Sequence, residues 1–199
     1  MPDFPARLIA VGGSAGSLIP LFTLLAALPH ATDCALVVCL HSDDADGRGF
    51  GAVLAARSAW PVTAADAGYA PIIGRVHFAR GRRHLVIASD GRFACPDTPP
   101  VHFCQPSLDV LFHSVAAAFA ARAVGVLLSG ANRDGAAGLA RIRTAGGTAL
   151  VQSPASAGFS TMPGAAIALG ASDHVAAPAH LAAMLSAFAR HPAVRGAHV

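Results

Sequence analysis

"RLIAVGGSAGSLIPLF", residues 7–22, joins two apolar runs of different period through a Gly/Ser-rich knot. The first run is continuously apolar over strand length, as a strand buried on both faces requires. In the second, Leu18, Leu21, Phe22, Leu25 and Leu28 recur at helical spacing. The knot between them is either a phosphate cradle or a turn that holds up a reactive serine. A P-loop needs G-x-x-x-x-G-K-[ST], and the chain contains no lysine. A dinucleotide fingerprint needs G-x-G-x-x-G, and Gly12, Gly13 and Gly16 miss those offsets. The helix N-terminus alone would support only a nonspecific anion site. Residues 12–16 do fit G-x-S-x-G between strand and helix, which lifts the Ser14 hydroxyl above the sheet edge. Taken alone, a plain turn with Ser14 or Ser17 as helix cap explains the knot equally well.

Outward from this unit, strand-like and helix-like segments alternate. "CALVVCL" (34–40) reads as a buried strand and is followed by the loop "HSDDADG" and a helix over about residues 48–58. "RVHFA" and "RHLVIASDGRFAC" carry shorter β-type runs with Ser89-Asp90-Gly91 as a turn, which predicts antiparallel hairpin structure. A proline-rich loop, "PDTPPVHFCQPS", ends at Ser107, the N-cap of a helix whose first turn holds Asp109. "AVGVLLS" and "TALVQ" read as strands, with a helix between them closed by glycine. A short helix opened by Pro163 and a last one in "PAHLAAMLSAFAR" complete the pattern. The alternation predicts a mostly parallel sheet with helices on both faces and an antiparallel hairpin insertion. One domain is expected over residues 1–199, with a core over about 7–190 and frayed last residues.

Composition narrows the chemistry. All 14 basic residues are Arg and all 11 acidic residues are Asp. Schiff-base catalysis and Ser–Lys dyads are therefore excluded, and a general base must be His, Asp or Cys. The four cysteines form no C-x-x-C pair, and no secretory signal or membrane-length apolar run is visible. Reduced thiols, a cytoplasmic location and no membrane insertion are expected. A net charge of +3 mildly favours acidic partners. Arg75, Arg80, Arg82 and Arg83 read either as a solvated face or as a dock for an acidic protein. With only Phe78 interleaved, nucleic-acid binding is not expected.

A serine nucleophile needs a base and a carboxylate to orient that base. In an open parallel sheet the reacting groups collect beyond the carboxyl ends of the strands. His41 follows one strand directly, and Asp134 follows "AVGVLLSGANR". Ser14, His41 and Asp134 thus hold equivalent positions on separate strands. His174 ranks second as base. Asp43 is a rival orienter, and His41 with Asp43, Asp44 and Asp46 is a metal alternative that lacks a second histidine at ligand spacing. No metal and no cofactor are expected.

"LIAVGGSAG", "QPSLDVLFHSVA", "VGVLLSGANRDGAAGLARI" and "TMPGAAI" together resemble the catalytic domain of the chemotaxis protein-glutamate methylesterases, the CheB family, over almost the whole chain. The resemblance implies a three-layer α/β/α sandwich and a triad of Ser14 as nucleophile, His41 as base and Asp134 as orienting acid. It implies backbone N–H groups of Ala15 and Ala131 as oxyanion donors, and His84 and Met162 along the substrate cleft. The implied activity is hydrolysis of glutamate methyl esters on chemoreceptor-like acidic helical proteins, with glutamine deamidation beside it. The family's receiver domain is not expected here, and a separate regulatory protein would take its place. The residues around the triad depart from the family: Ala15-Gly16-Ser17 replaces Thr-Gly-Gly, Ser42-Asp43 replaces Met-Pro, and Cys104-Gln105 stands where an Arg is common. These changes leave two alternatives in view, a weak or inactive binding module of the same fold and an esterase or amidase for a small molecule.

Overall fold

A computed structural model describes residues 5–29, 31–41 and 48–190. His30, Asp43, Asp44, Asp46, His191 and His198 lie outside the described residues. Strand β1 (Arg7–Gly13) is buried along its whole length and leads into helix α1 (Leu18–Ala26). Strand β2 (Cys34–Leu40), again wholly buried, precedes α2 (Arg48–Ala55). Short strands β3 (Val62–Ala64) and β4 (Val76–Phe78) follow, and then β5 (Val86–Ile87) and β6 (Phe93–Ala94). Helix α3 (Leu108–Phe119), β7 (Ala123–Leu127), α4 (Ala136–Thr144) and β8 (Thr148–Gln152) continue the chain. It closes with α5 (Thr161–Ala168), β9 (His174–Ala176) and α6 (Pro178–Arg190).

Seven strands form one sheet in the order β3-β4-β2-β1-β7-β8-β9, with every described pairing parallel. Side chains alternate across it. Leu8 and Ala10 of β1 join the core beneath α3, α4 and α5, whereas Ile9 and Val11 join the core beneath α1 and α6. The expected three-layer sandwich is therefore the observed fold. Gly12 makes the α3 layer fit, since a Cβ there would stand 3.0 Å from both Leu108 Cδ1 and Phe112 Cζ.

The hairpin expectation holds only in part. β5 and β6 pair antiparallel around the predicted Ser89-Asp90-Gly91 turn. "RVHFA", however, supplies β4, which runs parallel between β2 and β3 in the main sheet. Three residues are too few for a period to distinguish the two pairings. The buried pattern of Val76-His77-Phe78 is what places it inside. The predicted helix at 48–58 ends at Ala55, and α5 starts two residues ahead of Pro163.

Candidate active site

The chain builds β1 first, sets β2 beside it, places β3 at the edge and then β4 between β3 and β2, and returns to β7 on the other side of β1. Such a reversal leaves a crevice beyond the carboxyl ends of the strands where it occurs. Gly13 is in register with Leu40, and His41 N–H donates to Gly13 O at 3.2 Å, so Ser14 and His41 follow side by side. On the other flank, Ser14 N–H donates to Ser129 O at 2.9 Å. Ser129, fully buried, donates its hydroxyl to Ala15 O at 2.7 Å and accepts from Phe159 N–H at 2.9 Å. These bonds clamp the serine turn from the β7 side. Gly16 takes φ +76°, a left-handed turn open to glycine, and Ser17 closes the turn by donating its hydroxyl to Ser14 O at 2.6 Å.

Asp134 lies past β7, fully buried, and faces His41. His41 Nε2 and Asp134 Oδ2 are 2.8 Å apart, with the imidazole side chain 15% exposed. Since the carboxylate only accepts, Nε2 carries the proton and Nδ1 is the nitrogen left with a lone pair. Asp134 is held by the N-terminus of α3. Leu108 N–H donates to Oδ2 at 2.7 Å, Asp109 N–H to Oδ1 at 3.1 Å, and the Ser107 hydroxyl to Oδ1 at 2.8 Å. Burial pushes the carboxyl pKa up. The bonds from His41, Leu108, Ser107 and Asp109 together outweigh it and leave it below the ordinary value. Asn132 fixes the approach to Asp134, its side-chain oxygen accepting from Asp134 N–H at 3.0 Å.

Ser14, Ala15, Gly16, Leu18, Ile19, Leu40, His41 and Phe50 line a cleft of about 470 Å³. Ser14 is half-buried and Ala15 exposed. Among the described residues, neither the Ala15 nor the Ala131 N–H has a protein acceptor. Ser14 Oγ makes no hydrogen bond to His41 in this state. An imidazole on a carboxylate, a half-exposed hydroxyl on the adjoining strand end and unclaimed amides nearby can together support acyl transfer.

Two residues expected on the cleft lie elsewhere. His84 is fully buried, accepting from Ser107 N–H at Nδ1 (3.1 Å) and meeting Pro99 O at Nε2 (3.0 Å). It supports the turn that leads into α3 because both ring nitrogens are committed to backbone. Met162 is likewise fully buried, packed over Gly130, where a Cβ would stand 2.5 Å from its Cε. His174 begins β9 on the sheet's far edge, exposed and separated from β1 by two strands. The arginines also divide. Arg75 borders a small cavity with His77, while Arg80, Arg82 and Arg83 border another with Asp66, to which Arg80 pairs at 2.9 Å.

Sequence reasoning missed Ser129, Asn132 and Cys104, and it read Ser107 only as a cap. The cap is real, though weak at 3.4 Å to Val110 N–H. No local pattern reveals that the same hydroxyl serves a carboxylate 27 residues away.

Comparison with known proteins identifies the family and the fold. The family model described as CheB methylesterase matches residues 9–185. A protein-glutamate methylesterase/protein-glutamine glutaminase of Anaeromyxobacter dehalogenans is 42% identical over 95% of this chain and 56% of its own length. One from Cupriavidus metallidurans is 40% identical over 85% of this chain and 50% of its own. The chain thus spans about half the length of the curated relatives it matches. In fold it is similar to the Thermotoga maritima CheB methylesterase catalytic domain, with a TM-score of 0.86 at 23% identity. That likeness covers 91% of this chain and 97% of that one.

Proposed function

The chain belongs to the CheB methylesterase family, and from that premise we propose that it hydrolyses methyl esters of glutamate side chains on a chemoreceptor-like protein. The observation that supports the reading is the 2.8 Å contact between His41 Nε2 and Asp134, which leaves the Nδ1 lone pair free on a residue that follows the strand beside Ser14. Ser14 Oγ attacks the ester carbonyl as His41 Nδ1 takes its proton. Asp134 stabilises the imidazolium without itself being protonated. The tetrahedral oxyanion rests on the Ala15 and Ala131 N–H groups, each contributing about 3 kcal/mol. His41 returns the proton to the departing methanol. Water, activated by the same nitrogen, then frees the carboxylate and regenerates Ser14.

The same acyl-enzyme forms from a glutamine side chain with ammonia as leaving group. The names of the relatives, which pair methylesterase with glutaminase, support this second substrate. Arg82 and Arg83, both exposed, give an acidic helical substrate a complementary surface.

The test is methanol release from a methylated receptor, set against a generic ester. The intact chain should prefer the receptor, and Ser14→Ala should lower release at least about a thousandfold. Undiminished release by Ser14→Ala would overturn the proposal.

A further inference from the structure

Where Asp134 occupies one nitrogen of His41, the other faces a thiol. Cys104 Sγ lies 3.7 Å from His41 Nδ1. Asn132 Nδ2 donates to that sulfur at 3.2 Å and lies 3.5 Å from Nδ1. The thiol is delivered by a tight turn at residues 101–104, in which Val101 and Cys104 exchange both backbone hydrogen bonds (3.1 and 2.9 Å). His102 and Phe103 at its tip take φ of +50° and +62°, left-handed values that non-glycine residues adopt only under constraint. The turn projects Phe103 wholly into solvent and keeps Cys104 turned in, buried against His41.

This pair has the dimensions of a metal site. Around a tetrahedral Zn2+, bonds of about 2.3 Å to sulfur and about 2.0 Å to nitrogen place the two donors about 3.5 Å apart. Zinc-bound imidazoles characteristically give their second N–H to a carboxylate, and Asp134 already accepts from Nε2 at 2.8 Å. Donor atoms of His41, Cys104 and Asp134 all lie within 4.8 Å of one another. We propose that Cys104 Sγ and His41 Nδ1 form an inhibitory Zn2+ site, with Asp134 as the carboxylate behind the histidine and water in the positions facing the cleft. Binding replaces the thiol proton, which leaves to solvent, and changes no oxidation state. The ion occupies the lone pair that must accept the Ser14 proton. The inhibition rests on the hydrolase reading above, whereas the binding does not.

The test titrates the chelator-treated intact chain with Co2+ and, separately, assays hydrolysis with added Zn2+. Expected are a one-to-one thiolate-to-cobalt charge-transfer absorption, lost in Cys104→Ala and Cys104→Ser and kept in Cys95→Ala. Zn2+ should inhibit reversibly. Its half-inhibiting concentration, measured against each variant's own metal-free rate, should rise at least about tenfold without the thiol. The cobalt band appearing with no ester hydrolysis in any preparation would support the site and remove the hydrolase reading alone. No band in the intact chain, or equal bands and equal inhibition in the Cys104 variants, would overturn the proposal.

Discussion

Asp134 is where stability and chemistry meet in a single side chain. Its oxygens take the first N–H groups of α3, the Ser107 hydroxyl and the His41 ring. Asp134→Asn keeps the shape but removes the charge that favours a charged His41. Turnover is expected to fall by about four orders of magnitude, read as kcat at fixed pH. Because folding holds this carboxyl below its ordinary range, the folded chain binds the proton less readily than the unfolded one. Its stabilisation is complete above about pH 4, the unfolded value, and is lost as pH falls below that. Ser107→Ala removes one donor to Asp134 and the acceptor for Val110 N–H. It should cost about 1–2 kcal/mol in denaturant unfolding and make that acid loss smaller, ending at a higher pH, because the folded-state value rises toward the unfolded one. An unchanged acid limb would show that Ser107 does not hold the carboxylate.

Among the elements, the crossing of α3 and α4 decides whether Asp134 meets its donors. Gly138 makes that crossing close. A Cβ there would lie 2.7 Å from Phe112 Cβ and 2.9 Å from the Asp109 backbone. Gly138→Ala should therefore destabilise by about 1–3 kcal/mol and lower turnover too, because it pushes on the helix end that grips Asp134. On the other side of the site, β4 carries His77, buried beside Arg75, with Nε2 accepting from Ile72 N–H at 2.9 Å. Burial, and then the Arg75 charge, bring its pKa down to about 4. The folded chain keeps this ring neutral while the unfolded chain protonates it near pH 6.5. Its contribution, on the order of 3 kcal/mol, is full above pH 6.5 and drains as pH falls toward 4. Unfolding free energies from pH 7.5 to 4 should show that slope in the natural chain and lose most of it in His77→Gln.

At the scale of the whole molecule, the order β3-β4-β2-β1-β7-β8-β9 makes β2, β1 and β7 neighbours, and that adjacency turns a distant serine, histidine and aspartate into one crevice. This much was legible in the sequence, because buried parallel strands announce themselves as apolar runs and their carboxyl ends are where polar residues resume. The parts that were not legible depend on contacts between distant segments. His84 and Met162 carry the types a cleft would use, yet backbone groups of the turn into α3 claim the first and Gly130 makes room for the second. Cys104 looks like an ordinary loop residue until the left-handed turn before it aims its sulfur at a ring 63 residues away. The central claim is that Ser14 is a nucleophile activated through His41. The most direct measurement is stoichiometric labelling of the folded chain by an active-site serine reagent, with the adduct mapped by mass spectrometry. One adduct on Ser14, formed rapidly in the natural chain and suppressed in His41→Ala, is the predicted result. No adduct, or one on Ser14 that forms equally fast without His41, would contradict it.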